Sequence, residues 1–137
     1  MRIGFSKISI LTIAMLGYGC CKVDLREEYM AEARQFVKEY QSGDIARAKK
    51  ACVRDWALGV LNSEVKEYEN AYRTSMVFAS ERLSRICKVQ GDRDGFAFWT
   101  KFRDENVSKI DMTLGDLTNA VTRLDREMGV SYDASNN

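Results

Sequence analysis

Proline is absent from the whole 137-residue chain, so no residue forces a long helix to end. From Val23 onward, apolar residues recur at intervals of three and four, which is typical of amphipathic helices. No stretch alternates apolar and polar residues between turn signals, as a half-buried strand would. The sequence therefore predicts an all-α fold, and its length suits one small helical bundle.

The apolar pattern and the turn residues together predict the order of the helices. A first helix covers about residues 24–41 and ends at Ser42-Gly43-Asp44, where glycine can adopt a left-handed conformation and Asp44 can cap the next helix. The second helix starts at Ile45 and weakens at residues 59–63. A third helix covers about residues 63–89, and residues 90–95 form a loop, with Asp94 as the cap of the helix that follows.

The last helical region has the most regular pattern. Its apolar residues are separated by three and four positions: Val107, Ile110, Leu114, Leu117, Val121, Leu124 and Met128. This heptad seam requires a long partner, and the short loop before it favours the third helix, giving a long antiparallel helical hairpin. Self-association of two chains through the seam is the alternative. Thr113 and Asp116 could also cap a break in this helix. We predict a single α-helical domain at 20–129 and a flexible tail at 130–137.

The N-terminal residues indicate export. Arg2 and Lys7 precede an uncharged apolar run at residues 8–16, and small residues and Cys20 follow it. This order is typical of a secretory signal peptide, which we predict at residues 1–19. A membrane-spanning helix needs about 20 apolar residues, and this run is too short.

The residues before Cys20 resemble the lipobox of bacterial lipoproteins, in which an apolar residue and two small residues precede a cysteine. Gly19 fits that pattern, whereas Gly17 stands where leucine is usual and Tyr18 is bulkier than the family's residue. The resemblance implies lipidation of Cys20, with diacylglycerol and palmitate, and anchoring in the bacterial cell envelope. Because aspartate does not follow the acceptor, it implies the outer membrane, facing the periplasm. Modification of Cys21, or ordinary cleavage after Gly19, remain as alternatives.

Several classes of chemistry are excluded by composition. The chain has no histidine, so it contains no Ser-His or Cys-His dyad and no histidine metal ligand. The net charge of +1 gives no general attraction for nucleic acid. Asp92 and Asp94 resemble part of a calcium loop, but Lys101 stands where that loop needs a bidentate carboxylate. We therefore expect no catalytic residues, no metal, no cofactor and no small-molecule substrate.

Cys52 and Cys87 both fall on apolar faces of predicted helices. In an oxidising compartment they could form a disulfide between the second and third helices. Cysteine also serves as a small buried hydrophobe, which explains the same positions. The sequence leaves both alternatives open.

Two clusters are candidates for binding a partner. Four aromatic residues occupy two turns and spread too widely around the helix for one buried stripe: Phe96, Phe98, Trp99 and Phe102. They form either a docking surface or a cluster beneath the neighbouring loop. Four cations lie within eight residues: Arg47, Lys49, Lys50 and Arg54. They indicate contact with anionic lipid or an acidic partner, or a solvated helix face.

These features favour a small membrane-anchored envelope lipoprotein that is not an enzyme. We expect it to bind another envelope protein, as an accessory or scaffold subunit of a secretion, conjugation or surface-exclusion system. One alternative is a lipoprotein that self-associates as a coiled coil. A hydrolase that uses carboxylates or a serine is the other, and a deep cleft with converging carboxylates would favour it.

Overall fold

The computed structural model describes residues 25–66 and 68–132, so the predicted signal peptide and Cys20 lie outside the described residues. This part of the chain contains helices and no strand, which confirms the all-α prediction. The helices are α1 (Leu25–Tyr40), α2 (Ile45–Asn62), α3 (Glu69–Gln90), α4 (Arg93–Asn106), a 3-10 helix (Val107–Ile110) and α5 (Leu114–Glu127).

Helix α2 begins at the predicted cap and continues through the predicted weak point. The Asp44 carboxylate accepts hydrogen bonds from the backbone N–H groups of Ala46 and Arg47. Gly59 does not interrupt the helix. It lies where α2 approaches α3 closely. A Cβ atom at Gly59 would lie 2.6 Å from the Tyr72 carbonyl oxygen and 2.7 Å from Met76 Cβ. Glycine therefore allows the two helix backbones to approach.

The hairpin connection between α3 and α4 is shorter than predicted. Gly91, with a φ of 71°, ends α3, and its backbone N–H donates to the carbonyls of Cys87 and Lys88. Asp92, rather than Asp94, caps α4, because its carboxylate accepts from the Gly95 N–H at 2.9 Å. The predicted loop at 90–95 thus reduces to Gly91 and Asp92, and α4 packs directly back on α3.

The heptad seam is not carried by one continuous helix, and the break that Thr113 and Asp116 allowed is confirmed. Helix α4 ends at Asn106, the 3-10 helix follows, and Asp111 takes a φ of 53°. Thr113 and Asp116 then form a reciprocal capping box that starts α5. The capping box satisfies backbone N–H groups at the start of a new helix. This stabilises a break within the heptad pattern. The long hairpin of this fold is consequently formed by α3 and α4.

Two clusters of buried residues form the core. The first joins α1, α2 and α3 through Phe36, Tyr40, Ala48, Ala51, Cys52, Leu83 and Ile86. The second joins α3, the 3-10 helix and α5 through Met76, Val77, Val107, Leu117 and Val121. Leu117 and Val121 are thus buried within the chain, whereas Leu114 is 40% exposed. The middle of the heptad seam packs against α3 of the same molecule, as predicted for the hairpin.

The residues after α5 also belong to the packed domain. Val130 and Tyr132 pack against the first cluster, and the Tyr132 ring lies 5.5 Å from the Tyr40 ring. The flexible tail predicted from residue 130 therefore does not include residues 130–132. Residues 133–137 lie outside the described residues.

Candidate protein-binding surface

The four aromatic residues of α4 separate into two inward and two outward side chains. Trp99 and Phe102 are partly buried and pack against the core clusters. Phe96 is 37% exposed and Phe98 is 55% exposed. Phe96 and Phe98 are two residues apart, so their side chains project from opposite edges of the buried stripe of α4. The predicted four-residue docking surface is therefore reduced to its exposed members.

Trp56 of α2 holds the inward pair in place. Its ring meets Trp99 edge to face at 5.1 Å between centroids, and it meets Phe102 at 5.5 Å. One end of α2 contacts the start of α4 as well, because Lys49 Nζ lies 3.2 Å from Asp92 Oδ2. Lys49 contacts Asp92, and the later Trp56 contacts the later Trp99, so both helices run from N- to C-terminus in the same direction. Helices α2 and α4 thus run side by side and parallel.

Exposed apolar side chains flank this line of contacts, and we call them, with the rings they flank, the α2–α4 apolar surface. Val53 and Val60 flank Trp56 at helical spacing on α2, and each is 39% exposed. Phe98 precedes Phe102 by one turn on α4, so it lies on the same side as the Trp56 contact. The α2–α4 apolar surface comprises the partly buried Trp56, Trp99 and Phe102 and the exposed Val53, Val60 and Phe98.

Cations lie at the start of α2. Arg47 and Lys50 are exposed on its first turns, and with Lys49, Val53 and Gln90 they line an open concavity of about 640 Å³. Arg54 lies two turns after Arg47 on the same face of the helix, and its Nη1 lies 2.7 Å from Glu39 Oε2 of α1. The Gln35 side chain, Arg54 and Arg47 all lower the pKa of the Glu39 carboxyl. Arg47 and Arg54 therefore act on α1, whereas Lys49 is paired with Asp92 at the start of α4.

Carboxylates converge in a different place, between α1 and α2. Glu28, Glu32 and Asp55 line a cavity of about 30 Å³, which is room for one or two water molecules. Burial raises the pKa of Asp55 to about 6, against the opposing effect of Arg82 and Arg54. Asp55 could therefore exchange a proton near neutral pH. The cavity is too small to hold a substrate, so it does not provide the deep cleft that would favour a hydrolase.

A buried polar network connects α1, α3 and α5, and the sequence analysis missed it. The Tyr40 hydroxyl donates to Asp125 Oδ2 at 2.9 Å, and Arg82 Nε donates to Asp125 Oδ1 at 2.9 Å. The Arg82 guanidinium also lies over the rings of Phe36 and Tyr40, 5.2 and 5.1 Å from their centroids. A signal was present in the sequence, since Asp125 continues the four-residue spacing of Leu117 and Val121.

A second buried carboxylate, Glu81 of α3, connects α3 to α4. It accepts from Arg85 Nε at 2.8 Å and from Arg103 Nη1 at 2.7 Å. Both networks satisfy their buried charges with ion pairs, and they leave no free nucleophile or base there. They hold the helices in position and do not form a reaction site.

Cys52 and Cys87 are buried free thiols, so the disulfide alternative is not realised in this structure. The two side chains have different surroundings. Cys52 belongs to the first core cluster, while Cys87 Sγ lies against Gly95 at the start of α4. Burial raises the pKa of both thiols, which disfavours the reactive thiolate.

Within the described ranges, no group of three or more Cys, Asp or Glu residues could hold a metal ion. None of the helices described is long and apolar enough to cross a membrane. Comparison with known proteins gives no match to any family model, curated protein or solved structure.

Proposed function

We propose that this chain is a bacterial envelope lipoprotein that binds another envelope protein and has no catalytic activity of its own. It acts as an accessory or scaffold subunit of an envelope assembly, such as a secretion, conjugation or surface-exclusion system. The observation that carries the binding role is Phe98, which is 55% exposed beside the aromatic rings of Trp56, Trp99 and Phe102. Large exposed apolar side chains that adjoin further apolar surface are typical of protein-binding surfaces.

The arrangement of the aromatic residues on α4 supports the proposal. Trp99 and Phe102 are already used in packing against Trp56, whereas Phe98 is 55% exposed and Phe96 is 37% exposed. The Phe98 ring meets the Trp99 ring edge to face, with 4.8 Å between centroids. An aromatic side chain has only two rotatable bonds, so it loses little side-chain entropy when it anchors a partner.

The membrane anchor rests on the signal region and Cys20. Lipidation there would leave residues 21–24 between the lipid and the start of α1 at Leu25. So short a connection holds the domain at the membrane surface, where it meets other envelope proteins. Metabolic labelling with palmitate tests the anchor: we expect label on the parent protein and none on Cys20→Ser. Globomycin should make the unprocessed precursor accumulate. Label retained on Cys20→Ser but lost from Cys21→Ser would move the acceptor to Cys21.

Affinity purification from crosslinked membranes tests the binding role. We expect one envelope protein to be recovered with the parent chain, and this recovery to be lost with Phe98→Ser. Met30→Ser is a matched control, because Met30 is 43% exposed but lies on α1, outside the α2–α4 apolar surface. Equal recovery with both variants and the parent would refute a binding role for Phe98.

A further inference from the structure

Helix α1 is attached to the rest of the domain mainly through its C-terminal half. Phe36 and Tyr40 are buried in the first core cluster, and the Tyr40 hydroxyl is bonded to Asp125. From residue 26 to residue 35, by contrast, every side chain is at least partly exposed. This N-terminal part of α1, which we call the α1 strap, can therefore separate from the domain without opening the first core cluster.

Two spaces lie beneath the α1 strap. One is the cavity of about 30 Å³ between α1 and α2, and the other is an open concavity of about 210 Å³ between α1 and α3. Tyr29 and Ala33 of the strap line both spaces, together with Asp55 of α2 and Ser75 of α3. The strap thus crosses gaps, where it forgoes the close packing that holds core helices together.

Three carboxylates meet under the strap. Glu28 and Glu32 of the strap line the smaller cavity with Asp55, and Glu28 Oε2 is buried without a hydrogen-bond partner among the described residues. Like charges repel more strongly where little water separates them. An ionised Asp55 therefore opposes the docked strap, whereas a protonated Asp55 does not.

The other titratable groups around Asp55 do not cancel this effect. Arg54 of α2 and Arg82 of α3 lower the pKa of Asp55, but each is already paired with another carboxylate, at 2.7 and 2.9 Å respectively. Burial raises the pKa of Tyr72 on α3 and of Cys52, one turn before Asp55. Both groups therefore stay neutral between pH 4 and pH 8, and Asp55 is the group that changes charge there.

Two contacts hold the strap in place. The Tyr29 ring meets the Tyr72 ring of α3 edge to face, with 5.5 Å between centroids. Glu32 Oε2 lies 3.7 Å from Arg54 Nε, in an ion pair whose side chains are partly exposed. Exposed ion pairs contribute little to stability, so repulsion from an ionised Asp55 can outweigh this attachment.

We propose that the α1 strap is a pH-dependent device, which is docked when the Asp55 carboxyl is protonated and lifts away when that carboxyl ionises. The strap turns about the residues just before Phe36, where α1 becomes part of the core. Lifting admits water to Asp55 and separates it from Glu28 and Glu32, which stabilises the ionised form. This device goes beyond the proposed binding role and does not depend on it.

The direction of the pH dependence follows from Asp55. Burial raises its pKa from 3.8 to about 6, so the docked strap is favoured at low pH and loses this advantage as the pH rises through about 6. Each pKa unit corresponds to a factor of ten, so docking should weaken by up to about a hundredfold between pH 4 and pH 8.

Hydrogen exchange of the full-length chain, measured by mass spectrometry, tests the device. Once undocked, residues 26–35 are too short a segment to stay helical, so lifting exposes their amides to exchange. At pH 8 these amides should exchange about tenfold or more faster in the parent than in Asp55→Asn. At pH 5 the two proteins should agree, and residues 36–40 should not differ at either pH. Comparing the two proteins at the same pH cancels the intrinsic pH dependence of exchange.

Two further variants make each result decisive. Asp94→Asn is the matched control, since Asp94 is exposed at the start of α4, and its strap should exchange as in the parent. Tyr29→Ala removes the ring contact and should speed exchange of the strap at pH 5 as well, which shows that lifting is detected. Equal exchange in the parent and Asp55→Asn at pH 8 would overturn the proposal. A difference that is the same at pH 5 and pH 8, or one that extends through residues 36–40, would overturn it too.

Discussion

Tyr40 and Asp125 lie 85 positions apart in the chain, and the Tyr40 hydroxyl donates a buried 2.9 Å hydrogen bond to the Asp125 carboxylate. Arg82 occupies the other oxygen of the same carboxylate. One side chain thus joins α1, α3 and α5. Because the carboxylate is buried with its two partners, removing it leaves both an unpaired cation and an unpaired hydroxyl in the core.

Asp125→Ala should lower the free energy of unfolding by about 3 to 5 kcal/mol, as expected when one partner of a buried ion pair is removed. Urea unfolding measures this change. Asp104→Ala is the control: Asp104 pairs with Arg103, but its side chain is 48% exposed, so we expect a loss of about 1 kcal/mol or less. The double variant Arg82→Met, Asp125→Leu should recover most of the stability. Similar losses in Asp125→Ala and Asp104→Ala would contradict the role of the network.

Leu117→Ala should lower the free energy of unfolding by about 2 to 5 kcal/mol, because Leu117 is fully buried in the second core cluster. Leu114→Ala, at a seam position that is 40% exposed, should cost about 1 kcal/mol or less. Sedimentation equilibrium over a hundredfold range of concentration should give the same oligomeric state for both variants and the parent. A dimer that Leu117→Ala dissociates would instead support self-association through the seam.

Asp55→Asn should stabilise the protein at neutral pH. Folding raises the pKa of Asp55 from 3.8 to about 6, so the folded chain favours the protonated form. The contribution of Asp55 to stability is therefore present at low pH and is lost as the pH rises through about 6. The variant should gain about 1 to 3 kcal/mol over the parent above pH 7 and little at pH 4.

Urea unfolding of parent and variant between pH 4 and pH 8 measures this difference. Glu64→Gln, which removes an exposed carboxylate, separates the effect of burial from the loss of one negative charge. A gain for Asp55→Asn that is the same at pH 4 and pH 8 would argue against a raised pKa.

Two glycines on helices should respond in opposite directions to alanine. Gly59→Ala should lower the free energy of unfolding by about 1 to 3 kcal/mol, because the new methyl group would collide with the Tyr72 carbonyl and Met76. Gly115→Ala should raise it by about 0.5 to 1 kcal/mol, since alanine favours the helix and the nearest atom, Thr113 Oγ1, is 3.8 Å away. Thermal unfolding of both variants provides the comparison. If Gly59→Ala is neutral, the helices do not approach as described.

The sequence predicted the local features of the fold well. Gly43 and Asp44 could be recognised as a helix end and a cap, because those roles depend on the residue and its immediate neighbours. The break at Thr113 also had a local signal in Asp116 and Gly115, and the sequence left it open beside the regular heptad spacing. A seven-residue repeat records only which residues are buried, so it does not establish that one helix carries them all.

The candidate surface was harder to predict. Sequence alone placed four aromatic residues on one helix, but the choice between Trp99 inside and Phe98 outside depends on Trp56, which lies on another helix. The pairing of Arg82 with Asp125 has the same limitation, since a charge on an apolar face does not reveal its partner. These features follow from the packing of helices that are distant in sequence.

The packing of Leu117, Val121 and Tyr132 against earlier helices has a consequence for biosynthesis. A ribosome delivers the chain from its N-terminus, so α1 to α4 emerge before the residues that complete both core clusters. Until Asp125 emerges, the Tyr40 hydroxyl and the Arg82 guanidinium lack the carboxylate that pairs with them in the folded domain. The core is therefore completed only after the last helix has left the ribosome.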